Sequence, residues 1–287
     1  MKMRVFLSVI LGAWVLTVGA KNIEPRFDGK KITNDVFWNT AEGMPLYSQG
    51  GGIFRYPDPD TGRLRYYWYG VRYAEAVRYR EDPSVTYPAC TFEAVTCYSS
   101  DDLINWYYEG DVLTREEVDC YGRAGWVGRM GVAYLEAWNQ YVLVVQHDNG
   151  VLFALSHTPN GRFTWHRRIT MEKIIGTPNT GDQTVFVDED TRKPYLIYSY
   201  GRGRNRIYVS EIGIRDGQVD LLDCTQVFKG AGREGNCLFK YEGRYYMCAS
   251  NLYGWDSSFA YYMVANDIRG PYEPVNDMKI MPGCAED

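Results

Sequence analysis

The sequence predicts an all-β propeller, and three observations carry that prediction. Short alternating runs bounded by turn residues recur along the whole chain, helical periodicity is weak, and the runs group in fours. The groups repeat about every 50 residues, the spacing of four-stranded propeller blades. The first unit has strands in GGIFRY, RLRYYWYGVRY, AVTCYSS and INWYYEGDVL, with turns at PDPDTG and SSDDL. The second runs through GRMGVAYLEA, QYVLVVQHD, GVLFALSHT and FTWHRRIT. TVFVDED, KPYLIYSYG, NRIYVSEIG and VDLLDCTQVF form the third, and NCLFKYEG, RYYMCASN, AYYMVANDI and PYEPVND the fourth. A β-sandwich also alternates short strands but does not predict this period. The turns SSDDLINW and SHTPNGRFTW match, each ending in a Trp that starts a fourth strand. Closing the ring would take an N-terminal strand from about residues 30–46 paired with the last blade. Only four units precede the end at MPGCAED, so a further blade is expected beyond Asp287.

The first twenty residues, MKMRVFLSVILGAWVLTVGA, have a basic start, an apolar middle and a small-residue end, the form of a signal peptide cleaved after Ala20. The apolar run is short for a bilayer span, and no stop-transfer pattern follows. The expectation is therefore a secreted or periplasmic protein. Residues 1–20 would be removed, residues 21–287 would form one propeller domain, and no membrane span would remain. A net charge of −5 argues against nucleic acid as a partner, because phosphate contacts need clustered Lys and Arg. The basic stretch GRGRNRIYVS (201–210) reads as a turn between strands with solvated arginines. Seven cysteines show no metal-binding spacing; disulfides are open to an exported chain, while Cys237 and Cys248 read as small hydrophobes buried in strands. The 25 Tyr and 8 Trp suit packed strands and equally suit a sugar ligand.

Asp182, before TVFVDED, and Glu234, before CLFKYEGRYYMCAS, occupy matching places in the third and fourth units. In a propeller both carboxylates would point into one central funnel, and paired carboxylates are what glycosidic cleavage requires. The plainer alternatives are a turn-forming Asx residue for Asp182 and a surface salt bridge to Arg233 for Glu234. No nucleophile elbow, H-E-x-x-H, Walker loop or dinucleotide fingerprint competes.

Four stretches in order resemble glycoside hydrolase family 43, whose members are five-bladed β-propellers. They are SQGGGIFRY with YYWYG, VTCYSSDDLINW, GDQTVFVDED, and REGNCLFKYEGRYY with YGW. The likeness is strongest to the exo-β-1,3-galactanase-like branch. It implies an inverting hydrolase acting on the ends of plant-type polysaccharides or oligosaccharides, with galactose the first choice and arabinofuranose or xylose the second. A glycan-binding propeller without catalysis is the alternative. By resemblance Glu234 is the general acid, in Arg-Glu-Gly-Asn where the family has Glu-Ala-Pro, and Asp182 tunes and orients it. Most of the family places an Asp base on the first strand of blade one, where this chain reads Ser48-Gln49-Gly50-Gly51-Gly52-Ile53. The galactanase-like branch also lacks that Asp and reads His-Gly-Gly-Gly-Ile, which makes Gln49 and Gly51 substrate contacts. Where the branch has Glu-Arg-Pro, this chain has Gly128-Arg129-Met130. Arg129 would bind sugar hydroxyls or a uronate carboxylate, or neutralise Asp182 or Glu234. His147 is a polar funnel residue or a structural histidine, while His157 and His166 read as turn and surface residues. Trp255 would stack on a sugar ring or pack in the core. No cofactor is required, and a structural calcium in the central channel is the metal that the resemblance allows.

Overall fold

The computed structural model describes residues 31–275, apart from 35, 123–124, 179, 201–202 and 255–257. The expected signal peptide, Trp255 and Cys284 lie outside the described residues. Four antiparallel sheets of four strands follow one another as blades. Blade one contains β1 (Gln49–Pro57), β2 (Leu64–Tyr73), β3 (Phe92–Ser100) and β4 (Tyr107–Thr114), and blade two β5 (Val127–Leu135), β6 (Gln140–His147), β7 (Gly150–Ser156) and β8 (Thr164–Thr170). Blade three contains β9 (Thr180–Val187), β10 (Pro194–Tyr200), β11 (Arg206–Arg215) and β12 (Gln218–Lys229), and blade four β13 (Glu234–Tyr241), β14 (Arg244–Ser250), β15 (Ala260–Ala265) and β16 (Glu273–Val275). Three short helices in the connections, α1 (Ala76–Glu81), α2 (Arg115–Asp119) and α3 (Glu172–Ile175), are too brief to carry a periodic signal.

The first strands form the inner wall: β1 packs on β5, β5 on β9 and β9 on β13. No comparable packing joins β13 back to β1 among the described residues, so the arc is open where a five-bladed propeller has its fifth blade. Three hydrophobic clusters fill the three spaces between successive blades. Tyr67, Tyr69, Val132 and Leu143 belong to the first, Val144, Val185 and Tyr198 to the second, and Ile197, Val209, Leu238 and Met247 to the third. Burial follows from this arrangement. On β6, between two neighbours, Tyr141 to His147 are all buried, whereas β14 alternates because blade four is covered on one face.

Two expectations change here. Among the described residues, 31–46 show no pairing with blade four; they form one isolated bridge, Asn39–Pro45, and lie along blade one, where the Ala41 amide bonds the Trp106 carbonyl at 2.8 Å. Cys237 is exposed on the outer face of blade four and Cys248, its cross-strand partner, is only half-buried, because no further sheet covers that face. The matched turns are also offset by two residues. Trp106 and Phe163, both fully buried, immediately precede β4 and β8, while Trp165 lies within β8.

The first hairpins of blades one and three share a turn, D-x-D-T-x-R/K. In each the leading Asp, Asp58 or Asp188, is buried and caps its own turn: Asp58 Oδ1 accepts the Thr61 amide at 2.9 Å, and Asp188 Oδ1 accepts the Asp190 amide at 2.9 Å. The two differ in their second oxygen. Asp58 Oδ2 reaches Tyr67 and Arg65 on its own blade, whereas Asp188 Oδ2 reaches Tyr245 and Lys240 on the next.

Candidate active site

Every inner strand begins with the same irregularity. Gly50 and Gly51 stand opposite Gly70, Gly128 and Arg129 opposite Gln146, Gly181 and Asp182 opposite Ser199, and Gly235 and Asn236 opposite Ala249. Each is a two-against-one β-bulge, a device that redirects side chains at the end of a strand. The first bulged residue is glycine in all four blades, with φ of +68° at Gly50 and +62° at Gly235, where a side chain would be strained. The second position therefore differs freely: Gly51, Arg129, Asp182 and Asn236. This register corrects the sequence-based equivalence, since Asp182 corresponds to Asn236 and Glu234 corresponds to Thr180.

The bulges bring the two carboxylates together across the boundary between blades three and four. Asp182 Oδ2 accepts the Gly235 amide at 3.0 Å, so one carboxylate is fixed to the backbone just past the other. Asn236, in the place of the family's proline, donates to the Asp182 carbonyl at 2.9 Å and to Ser199 Oγ at 2.7 Å. Ser199 in turn donates to the Arg233 carbonyl at 3.0 Å, and Ser250 Oγ to the Glu234 carbonyl at 3.3 Å. Arg233 is not the partner of Glu234; it bonds Asn251 Oδ1 at 2.9 Å and lies over the Tyr261 ring at 4.1 Å. Arg204 takes that role. Its Nη1 contacts Glu234 Oε2 directly and lies 3.7 Å from Asp182 Oδ1. From the other side, Arg129 Nε lies 3.8 Å from the same Asp182 oxygen.

The first-blade strand meets this cluster at Gly50, where a Cβ would lie 2.9 Å from Arg129 Nη1; Gln49, half-buried, is the residue before it. Gly51 has a different reason to be glycine. A Cβ there would sit 1.6 Å from the Tyr69 carbonyl oxygen on β2, so pairing within the blade by itself requires glycine at this position. Gly51→Ala is expected to lower stability by roughly 3 kcal/mol or more, because backbone rather than a flexible side chain must move. A thermal melt checks it; an unchanged midpoint would contradict the account.

The family model for glycosyl hydrolases family 43 matches residues 56–285. The chain belongs to this family. Among solved structures, the exo-β-1,3-galactanase from Clostridium thermocellum is 26% identical with a TM-score of 0.68, over 86% of this chain and 51% of that one. The Phanerochaete chrysosporium exo-β-1,3-galactanase with galactose is 23% identical with a TM-score of 0.68, over 86% of this chain and 54% of that one. A curated β-xylosidase from Formosa agariphila is 28% identical over 169 residues, 52% of this chain and 27% of the relative. The chain thus spans about half the length of those two structures and about a quarter of the curated relative.

Within the family 43 frame, the histidines make contacts of their own. His147 is buried at the end of β6 opposite Val127, edge-on to Trp165 with ring centroids 6.3 Å apart. His166 is not a surface residue: its Nε2 accepts the Val219 amide at 3.1 Å, linking blade two to blade three, and burial beside Arg167 lowers its pKa. No group of three or more His, Cys, Asp and Glu side chains gathers among the described residues.

Sequence reasoning missed two residues. Arg204, in the basic stretch read as a solvated turn, belongs to the cluster. Trp126, just before β5, folds back so that a Cβ at Gly128 would lie 1.9 Å from its ring, and it remains 43% exposed. Its backbone is pinned at both ends by Asp148, amide to Oδ1 at 2.7 Å and carbonyl to amide at 2.8 Å. The indole therefore fills the space that a side chain at position 128 would take. For Trp126 the signal was x-G-x-x at the start of its unit, which fixes the bulge and shows what lies beside it.

Proposed function

We propose that this chain is an exported, inverting glycoside hydrolase that releases terminal sugars from plant-type polysaccharide or oligosaccharide. Galactose is the first choice of sugar, and arabinofuranose or xylose the second. The observation that carries the reading is the junction of Asp182 and Glu234, tied through the Gly235 amide and shared by Arg204. In this reading Glu234 protonates the leaving oxygen and Asp182 orients it. Arg129 and Gln49 contact the substrate, and the exposed indole of Trp126 offers a stacking face. Hydrolysis consumes only water, so no cofactor takes part. Export and the span of the domain over 21–287 rest on the leader-like first twenty residues.

Glycan binding without turnover is a second reading, and two observations favour it. Arg204 contacts Glu234 directly, and the blade-one bulge presents Gly50 and Gly51 where most relatives place a base. A hydrolysis screen on β-1,3-galactan, arabinan and xylan oligosaccharides, with product sugars identified and their anomers followed by NMR, separates the two. Release of one monosaccharide in the inverted configuration is the expected result. Binding with no release from any of the three would leave the second reading standing.

A further inference from the structure

Resting on the hydrolase reading above, we propose that the funnel is built for a sugar that itself carries a carboxylate, a uronic acid held by Arg204 with Arg129 beside it. Two guanidinium groups converge on the two carboxylates, so the cluster carries as many positive groups as negative ones. The arginines are the outer members. Their side chains are 30% and 27% exposed, against 16% for Glu234 and 10% for Asp182, so an entering ligand meets positive charge first.

Arg204 makes its contacts through Nη1 alone; its Nε–Nη2 edge has no hydrogen-bond partner among the described residues. That edge of a guanidinium accepts a carboxylate in two parallel hydrogen bonds. Gly181, the bulge glycine of blade three, leaves it open, since a Cβ there would lie 3.3 Å from Nε and 3.4 Å from Cδ. At Gly50 a Cβ would lie 2.9 Å from Arg129 Nη1, so a bulge glycine lies against each of the two arginines. A neutral sugar offers hydroxyls, which gain less from a charged fork than a carboxylate does.

The test pairs substrates that differ only at C6: 4-nitrophenyl β-D-galactoside with its galacturonide, and the β-D-glucoside with its glucuronide. The acidic member of at least one pair is expected to show kcat/KM roughly tenfold higher or more. Arg204→Gln should collapse that ratio toward one, and Arg204→Lys, which keeps the charge but loses the fork, should recover only part of it. Neutral members turned over as well as or better than both acidic ones, or a ratio unmoved by Arg204→Gln, would overturn the proposal. If no glycoside of either pair is cleaved, calorimetry with free D-galacturonate and D-galactose decides instead. Tighter binding of galacturonate that is lost in Arg204→Gln upholds the carboxylate site while the turnover reading fails; equal binding of the two sugars sinks the carboxylate site.

Discussion

Glu234→Gln should reduce turnover by a factor of about 10²–10⁴ while leaving the fold and sugar binding in place, the loss expected when a positioned general acid is removed. Glutamine has the same shape, and the Ser250 bond to the carbonyl and the Gly235 bond to Asp182 are backbone contacts that survive the change. What disappears is the proton that the leaving oxygen needs. The loss should therefore depend on the leaving group. A dinitrophenyl glycoside, which departs readily as its anion, should recover most of the rate, and an alkyl or sugar leaving group almost none. Equal losses across leaving groups would assign Glu234 to binding or packing. Asp182→Asn should be milder in kcat and should move the pH–rate profile, since Asp182 touches the acid through Arg204 and the Gly235 amide rather than the reacting bond.

The blade repeat was legible because alternation and turn chemistry are local. DxDT turns, aromatic second strands and bulge glycines each leave a mark within a few residues of the position they shape. Asp182 and Glu234 were legible for a weaker reason. They were matched by their places ahead of the first strands of two units, and the structure shows that Asp182 is a bulge residue of blade three whereas Glu234 precedes the bulge of blade four. They still meet, because the start of β9 lies beside the start of β13 and the residue after Glu234 donates to Asp182. Arg204 could not be read in this way. A loop arginine reaches its partner through a long flexible chain, and nothing in GRGRN says whether that chain turns outward or into the funnel. Gly51 has a packing reason that no local pattern reveals, since it avoids a clash with a carbonyl of its own sheet. Cys237 was misread because burial of a strand face depends on whether another blade covers it.

Asp188→Ala should be among the most destabilising single changes in the chain, costing roughly 3 kcal/mol, the scale for breaking a buried, hydrogen-bonded charge from one side. Asp188 is almost fully buried at the joint of blades three and four. Besides capping its own turn, its carboxylate accepts the Tyr245 hydroxyl and pairs with Lys240 Nζ at 3.2 Å. Removing it would take the acceptor from the Tyr245 hydroxyl across the boundary and leave Lys240 to Asp190, which its Nζ contacts at 2.7 Å, so blade four loses part of its polar anchor together with the turn cap. For a chain of this size the midpoint should fall by about 2–4 °C for each kcal/mol. The effect has a pH signature. Burial alone would raise the Asp188 pKa, but hydrogen bonds from Tyr245, the Asp190 amide and Lys240 outweigh it and hold it below the ordinary value of 3.8. A native pKa below the unfolded one stabilises the fold above the unfolded value, and that contribution is lost as pH falls through the native value. The gap in melting temperature between wild type and Asp188→Ala should therefore be full near neutral pH and narrow below about pH 4. A gap that stays constant down to pH 2 would mean that the turn cap, rather than the charged junction between blades, carries the stability.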